Sequence, residues 1–273
     1  MSREALIPGA GKASLGYFGK IPVSGDFVSR GLPRTFVDPW VDWLNKALAR
    51  SREQLGNRWL DCYLTSPIWC FVLPSQICGD GSWAGVLMPS VDRVGRYFPF
   101  TLAAQLPQRI SVFSVVVSAG DWFKQAEKLA VSALDDAFQL EALEKQLQIL
   151  GAPEAHTNGP GIGSETPACD PRSESGLHFS LGSSEQPDWS TLAPHLLSEL
   201  LASDSLWWTA GSNSAECHID PALIICQGLP PIRGTTAMID GQWQQRGWRR
   251  YCLTEEGGRA IAATAKSPFS PGR

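Results

Sequence analysis

The chain has no apolar run approaching the ~20 residues needed to cross a bilayer. Its opening Met-Ser-Arg-Glu-Ala-Leu-Ile-Pro carries no secretory apolar core. Membrane insertion and a cleaved leader are therefore not expected. Basic clusters are equally scarce. Apart from Arg246, Arg249 and Arg250, no Lys/Arg group exceeds a pair, and the net charge is -4. Nucleic acid has no electrostatic footprint here, and the Arg246–Arg250 group reads as a solvated face. The seven cysteines (62, 70, 78, 169, 217, 226 and 252) are odd in number and never spaced Cys-x-x-Cys. That excludes the usual structural zinc patterns. Most of them fall in apolar stretches, where a free thiol behaves as a small hydrophobe. The expectation is a soluble, cytoplasmic, reduced protein with no metal.

Catalytic patterns are also missing. The four histidines (156, 178, 195 and 218) are scattered and form no His-x-x-x-His pair. No Gly-x-Ser-x-Gly elbow occurs. Gly159, Gly161 and Gly163 alternate, but they follow no strand, open no helix and lack the lysine of a phosphate-binding loop. The chain reads as a non-enzyme without a cofactor.

What is present is core. Hydrophobic residues make up 43% of 273, which excludes disorder for most of the length. Tryptophan is abundant, at 11 copies against 4 tyrosines. Such bulk fills the space between sheet and helix, and where exposed it anchors partners. Leu15–Lys20 and Asp26–Arg30 read as short strands about a Pro-Val-Ser-Gly turn. Asp38 suits a helix N-cap with Pro39 in the first turn. Trp40, Trp43, Leu44, Ala47 and Leu48 then recur at helical spacing up to Gly56. A further short turn is expected over Arg58–Leu64. The continuous apolar run Ile68–Pro74 reads as a strand buried on both faces, and Trp83–Pro89 and Phe100–Gln105 read as two further strands. Their Gly/Asp-rich connections indicate an antiparallel meander.

Residues 120–150 read as helical, with a break near Asp135-Asp136. Residues 151–176, rich in Gly, Pro, Ser and Glu, read as a flexible insertion. Beyond them are expected a strand over Leu177–Leu181, a helix from Ser190, strands over Leu206–Thr209 and His218–Gln227, and a short helical turn ending at Asp240-Gly241. The division that results is a flexible lead-in over 1–14, one domain over 15–258 and a frayed tail over 259–273.

One polar constellation stands out, made of Asp26, Asp92, Arg93 and Arg96. Asp92 and Arg96 bracket a Gly95 turn directly before a strand, and Asp26 follows Gly25 at another. One reading is a carboxylate–guanidinium lock between turns. The other is a pocket for an anion or a partner, built on Arg93 or Arg96. Trp207 and Trp208, adjacent on a strand, must point to opposite faces. One is expected in the core, and the other is a candidate interface aromatic.

Several segments together resemble the TagF family, also called ImpM. Gly19-Lys20-Ile21-Pro22, Gly25-Asp26-Phe27-Val28 and Arg30-Gly31-Leu32-Pro33 look like its opening motif, followed by Trp40, Trp43 and Leu44. Trp83, Gly85, Pro89, Ser90, Asp92, Gly95, Arg96, Phe98 and Pro99 resemble its central motif. Trp207-Trp208, Gly211-Ser212, Gly228-Leu229-Pro230, Met238 and Asp240-Gly241 resemble its later landmarks. The resemblance implies an α+β fold, a central mainly antiparallel sheet flanked by helices as in an α/β/α sandwich. It also implies a cytoplasmic, post-translational repressor of bacterial type VI secretion that acts on the forkhead-associated scaffold protein. Two alternatives stand beside it. One is a structural or assembly subunit of the same apparatus. The other is a hydrolase using Asp26 and Asp92.

Overall fold

Strands whose residues alternate between two apolar faces require a layer on each side, and the chain supplies both. The computed structural model describes residues 15–107, 112–153, 203–214 and 217–251. The strands are β1 (Leu15–Gly19), β2 (Val28–Arg30), β3 (Trp69–Leu73), β4 (Trp83–Met88), β5 (Phe100–Gln105), β6 (Asp204–Thr209), β7 (Ser212–Asn213), β8 (His218–Ile219) and β9 (Ala222–Gln227). Seven of them form one sheet in the order β2-β1-β5-β4-β3-β6-β9, and β7 and β8 form a separate two-stranded ladder. Each pairing in the large sheet is antiparallel. This is an α+β fold of the expected kind.

The helices are α1 (Arg34–Leu55), α2 (Trp59–Leu64), α3 (Val112–Ser118), α4 (Gly120–Ser132), α5 (Leu140–Leu150) and α6 (Ala237–Asp240), with a 3-10 turn over Gly56–Arg58. Period-two alternation sorts the sheet residues between them. Cys70, Val72, Ala84, Val86, Phe100, Leu102 and Leu206 pack with residues of α3, α4 and α5 on one face. Trp69, Phe71, Leu73, Trp83 and Trp207 pack with residues of α1, α2 and α6 on the other. Strands β3 and β4 are buried at every position.

The tryptophans explain themselves in the second cluster. Trp40 and Trp207 stack with ring centroids 5.7 Å apart, and Trp43 and Phe71 close around Trp207. Each buried indole also has an acceptor. Trp40 donates to Thr101 Oγ1, Trp43 to the Pro230 carbonyl, Trp69 to the Met238 carbonyl and Trp83 to the Cys78 carbonyl. The C-terminal segment is thereby fixed to α1 and β3 by side chains far apart in sequence.

Four features depart from the sequence reading or lie outside it. The first long helix opens at Arg34, five residues before Pro39, because Phe36 is fully buried against Trp40 and Trp83. That packing outweighs the hydrogen bond Pro39 removes. Val112–Ser118 is helical although its β-branched run gave no helical signal. The single strand expected over His218–Gln227 is two, interrupted at Asp220-Pro221. Cys62 and Cys217 are joined by a disulfide, their Cα atoms 5.4 Å apart across a sequence separation of 155. That overturns the fully reduced reading. Two cysteines so far apart have no spacing pattern to show that α2 meets β8. The strand near 177–181, the helix from Ser190, most of the insertion and both terminal segments lie outside the described residues.

Candidate interaction surface

A tight hairpin turn between β4 and β5 builds the site. Val91 and Tyr97 form an isolated antiparallel bridge. Inside it Asp92 N–H donates to the Arg96 carbonyl at 3.1 Å, and Gly95 N–H donates to the Asp92 carbonyl at 3.0 Å. Gly95 has φ +84°, a left-handed conformation that residues with a Cβ rarely adopt.

The Asp92 side chain turns inward and is fully buried. Its Oδ1 accepts from Val94 N–H (3.0 Å) and Arg96 N–H (2.8 Å). Its Oδ2 accepts from Lys20 Nζ (2.9 Å) and Arg96 Nε (2.7 Å). Burial alone would raise the carboxyl's pKa. The backbone and side-chain bonds from Arg96, Lys20 and Val94 outweigh it and hold Asp92 well below the usual carboxylate range. A carboxylate so held cannot donate a proton near neutral pH.

The turn is tied to the loop after β1. Arg96 Nη2 donates to the Gly25 carbonyl, Arg93 N–H to the Ser24 carbonyl at 2.9 Å, and Ser90 Oγ to the Lys20 carbonyl at 2.7 Å. From α2, Tyr63 completes the joint. Its hydroxyl donates to the Ser90 carbonyl at 2.9 Å and accepts from Ser90 N–H at 3.0 Å. Burial raises the Tyr63 phenol above its ordinary value, so it stays protonated and able to donate.

Asp92, Arg93 and Arg96 therefore share one structure with the loop carrying Asp26, and the lock reading describes Asp92 and Arg96. Asp26 itself is exposed, and its Oδ1 accepts from Phe27 N–H at 2.8 Å. Arg93 is exposed, with its guanidinium lying against Gly25. Phe27, 45% exposed, stacks on Phe18 and meets Phe98 edge-on. Lys20 Nζ lies 5.0 Å from the Phe27 ring centroid. Trp207 lies elsewhere, fully buried, and donates to Ser205 Oγ at 2.9 Å. Half-buried Trp208 packs edge-on against Phe123 of α4, so neither indole adjoins the hairpin.

Sequence reasoning missed the parts played by Lys20, Tyr63, Ser90 and Phe27. Lys20 and Phe27 stood inside a quoted motif, but nothing local signals that a lysine will be buried. A second lock went unread as well. Arg246 Nη2 bonds buried Asp240 Oδ2 at 2.6 Å, so this member of the basic group is not a solvated residue. The Asp240 carboxylate fixes the segment after α6 and needs its cation inside. Among the described residues, no helix is long and apolar enough to cross a membrane, and no group of three or more His, Cys, Asp or Glu could hold a metal.

Comparison with known proteins agrees with the motif series. Residues 16–150 match the TagF N-terminal domain, described as type VI secretion system-associated. The crystal structure of PA0076 from Pseudomonas aeruginosa PAO1, at 2.05 Å resolution, is similar with 38% sequence identity and a TM-score of 0.69. The similarity covers 84% of this chain and 95% of that one. No curated protein matches the chain. The family match over residues 16–150, and a fold shared at 38% identity along nearly the whole of a relative, together place this chain in the TagF family of type VI secretion system-associated proteins.

Proposed function

We propose that this protein is a non-enzymatic cytoplasmic regulator, a post-translational repressor of type VI secretion that works by binding the forkhead-associated scaffold protein of the apparatus. The observation that carries the reading is the hairpin of Ser90–Pro99, where two loops are bonded into one rigid surface bearing arginines and an exposed phenylalanine. Arginine and aromatic side chains dominate the energetics of protein interfaces. A surface fixed before binding also loses little conformational entropy when a partner docks. Asp92 and Arg96 maintain the surface, while Asp26, Arg93 and Phe27 face the partner.

Co-purification tests this directly. The tagged full chain, recovered from a host with an intact apparatus, is expected to retain the scaffold protein. Asp92→Asn, which removes the lock, is expected to release it. Retention of apparatus components without the scaffold protein would contradict the proposal.

A further inference from the structure

At the hairpin, cations outnumber the anions that could balance them. Lys20 and Arg96 share one buried carboxylate, Asp92, and Arg93 adds a third cation on the same turn. The guanidiniums of Arg93 and Arg96 converge on Gly25: Arg96 bonds its carbonyl, and Arg93 Nη2 lies 3.3 Å from where a Cβ on Gly25 would stand. Asp26, the nearest other acid in sequence, turns its Oδ1 to Phe27 N–H. Among the described residues, no carboxylate or carbonyl accepts from the Arg93 guanidinium. Apolar surface flanks this charge, with Phe27 45% and Val94 65% exposed. All of this sits on a chain whose net charge is -4.

Resting on the scaffold-binding reading, we infer that Arg93 is the recognition residue of this surface. It takes the carboxylate of an Asp or Glu in a partner segment whose neighbouring apolar side chain packs on Phe27 and Val94. The chemistry follows from the free fork of a guanidinium, which pairs a carboxylate with two parallel hydrogen bonds. The anion supplies the charge the cluster lacks, and the two apolar side chains exclude water from the pair. Arg96 positions the site without contributing a free fork, because its Nε and Nη2 are already committed.

The test is a binding titration of the purified full chain against the recombinant scaffold protein treated with phosphatase. Arg93→Glu is expected to weaken binding about tenfold or more, the loss typical of an interface hot spot. Arg93→Lys keeps the charge but not the fork and is expected to fall between. Val94→Ser weakens binding by a smaller factor, and affinity falls as salt is raised. Among the described residues the Arg93 side chain donates no hydrogen bond, so its variants are expected to melt at the wild-type temperature. A reversed charge at the partner's acidic residue is expected to restore binding to Arg93→Glu.

Unchanged affinity for Arg93→Glu would overturn the inference and leave scaffold binding standing. Binding only to the phosphorylated scaffold would overturn the carboxylate assignment. No binding by the wild-type chain would overturn the scaffold reading and this inference with it.

Discussion

Asp92 accepts four hydrogen bonds and is fully shielded from solvent, so its ionisation is linked to folding. In the unfolded chain such a carboxyl titrates at about 4. In the folded protein it titrates well below that value. The unfolded state therefore takes up the proton first. Asp92 stabilises the fold fully above the unfolded value, and this contribution is lost as pH falls toward the folded one. Asp92→Asn is expected to lower the urea midpoint strongly near neutral pH, with the gap to wild type narrowing below about pH 4. Equal gaps at both pH values would show that the carboxylate's charge is immaterial. The pairing of Asp92 with Arg96 was legible from sequence, since both lie on one tight turn around a glycine. Lys20 was not, because its partner is 72 residues away and burial of an ammonium depends on the sheet bringing β1 beside the hairpin. Arg93 was legible as a candidate. That its guanidinium has no acceptor among the described residues depends on how the hairpin and the loop after β1 meet in three dimensions.

Among the elements, β4 shows how sequence and packing divide the work. Its sequence announces a strand, and the structure buries each of its residues. The glycine at its centre, Gly85, has a role only in three dimensions. A Cβ there would lie 2.5 Å from Phe71 Cζ and 2.3 Å from the Leu102 carbonyl oxygen. Gly85→Ala is expected to cost about 1–3 kcal/mol by overpacking, visible as a lower urea midpoint with unchanged slope. A variant as stable as wild type would mean that the Leu102 backbone and the Phe71 ring both shift to admit the methyl group. Helices were read well where apolar spacing and a stop coincide, as at Gly56 ending α1. They were read poorly where a local rule met a stronger tertiary contact. Pro39 marks a helix start on local grounds, yet the burial of Phe36 carries α1 back to Arg34. The disulfide between Cys62 and Cys217 was invisible for a related reason, since it records a meeting of distant elements and no local pattern.

For the whole molecule, the strand runs with turn-rich connections implied an antiparallel sheet, and the family resemblance implied helices flanking it. Both hold in the seven-stranded sheet and its two clusters. Strand order was beyond sequence reasoning. The placement of β1 beside β5, and of β6 beside β3, depends on non-local pairing. The association with type VI secretion was legible only through the ordered motif series. Family membership sets the apparatus this protein serves, and the central claim concerns the direction in which it acts. The most direct test is the amount of tube protein secreted by the native host, with this gene deleted and with it overexpressed. A repressor predicts more secretion on deletion and less on overexpression. Loss of secretion on deletion would contradict that account and make the protein an assembly component.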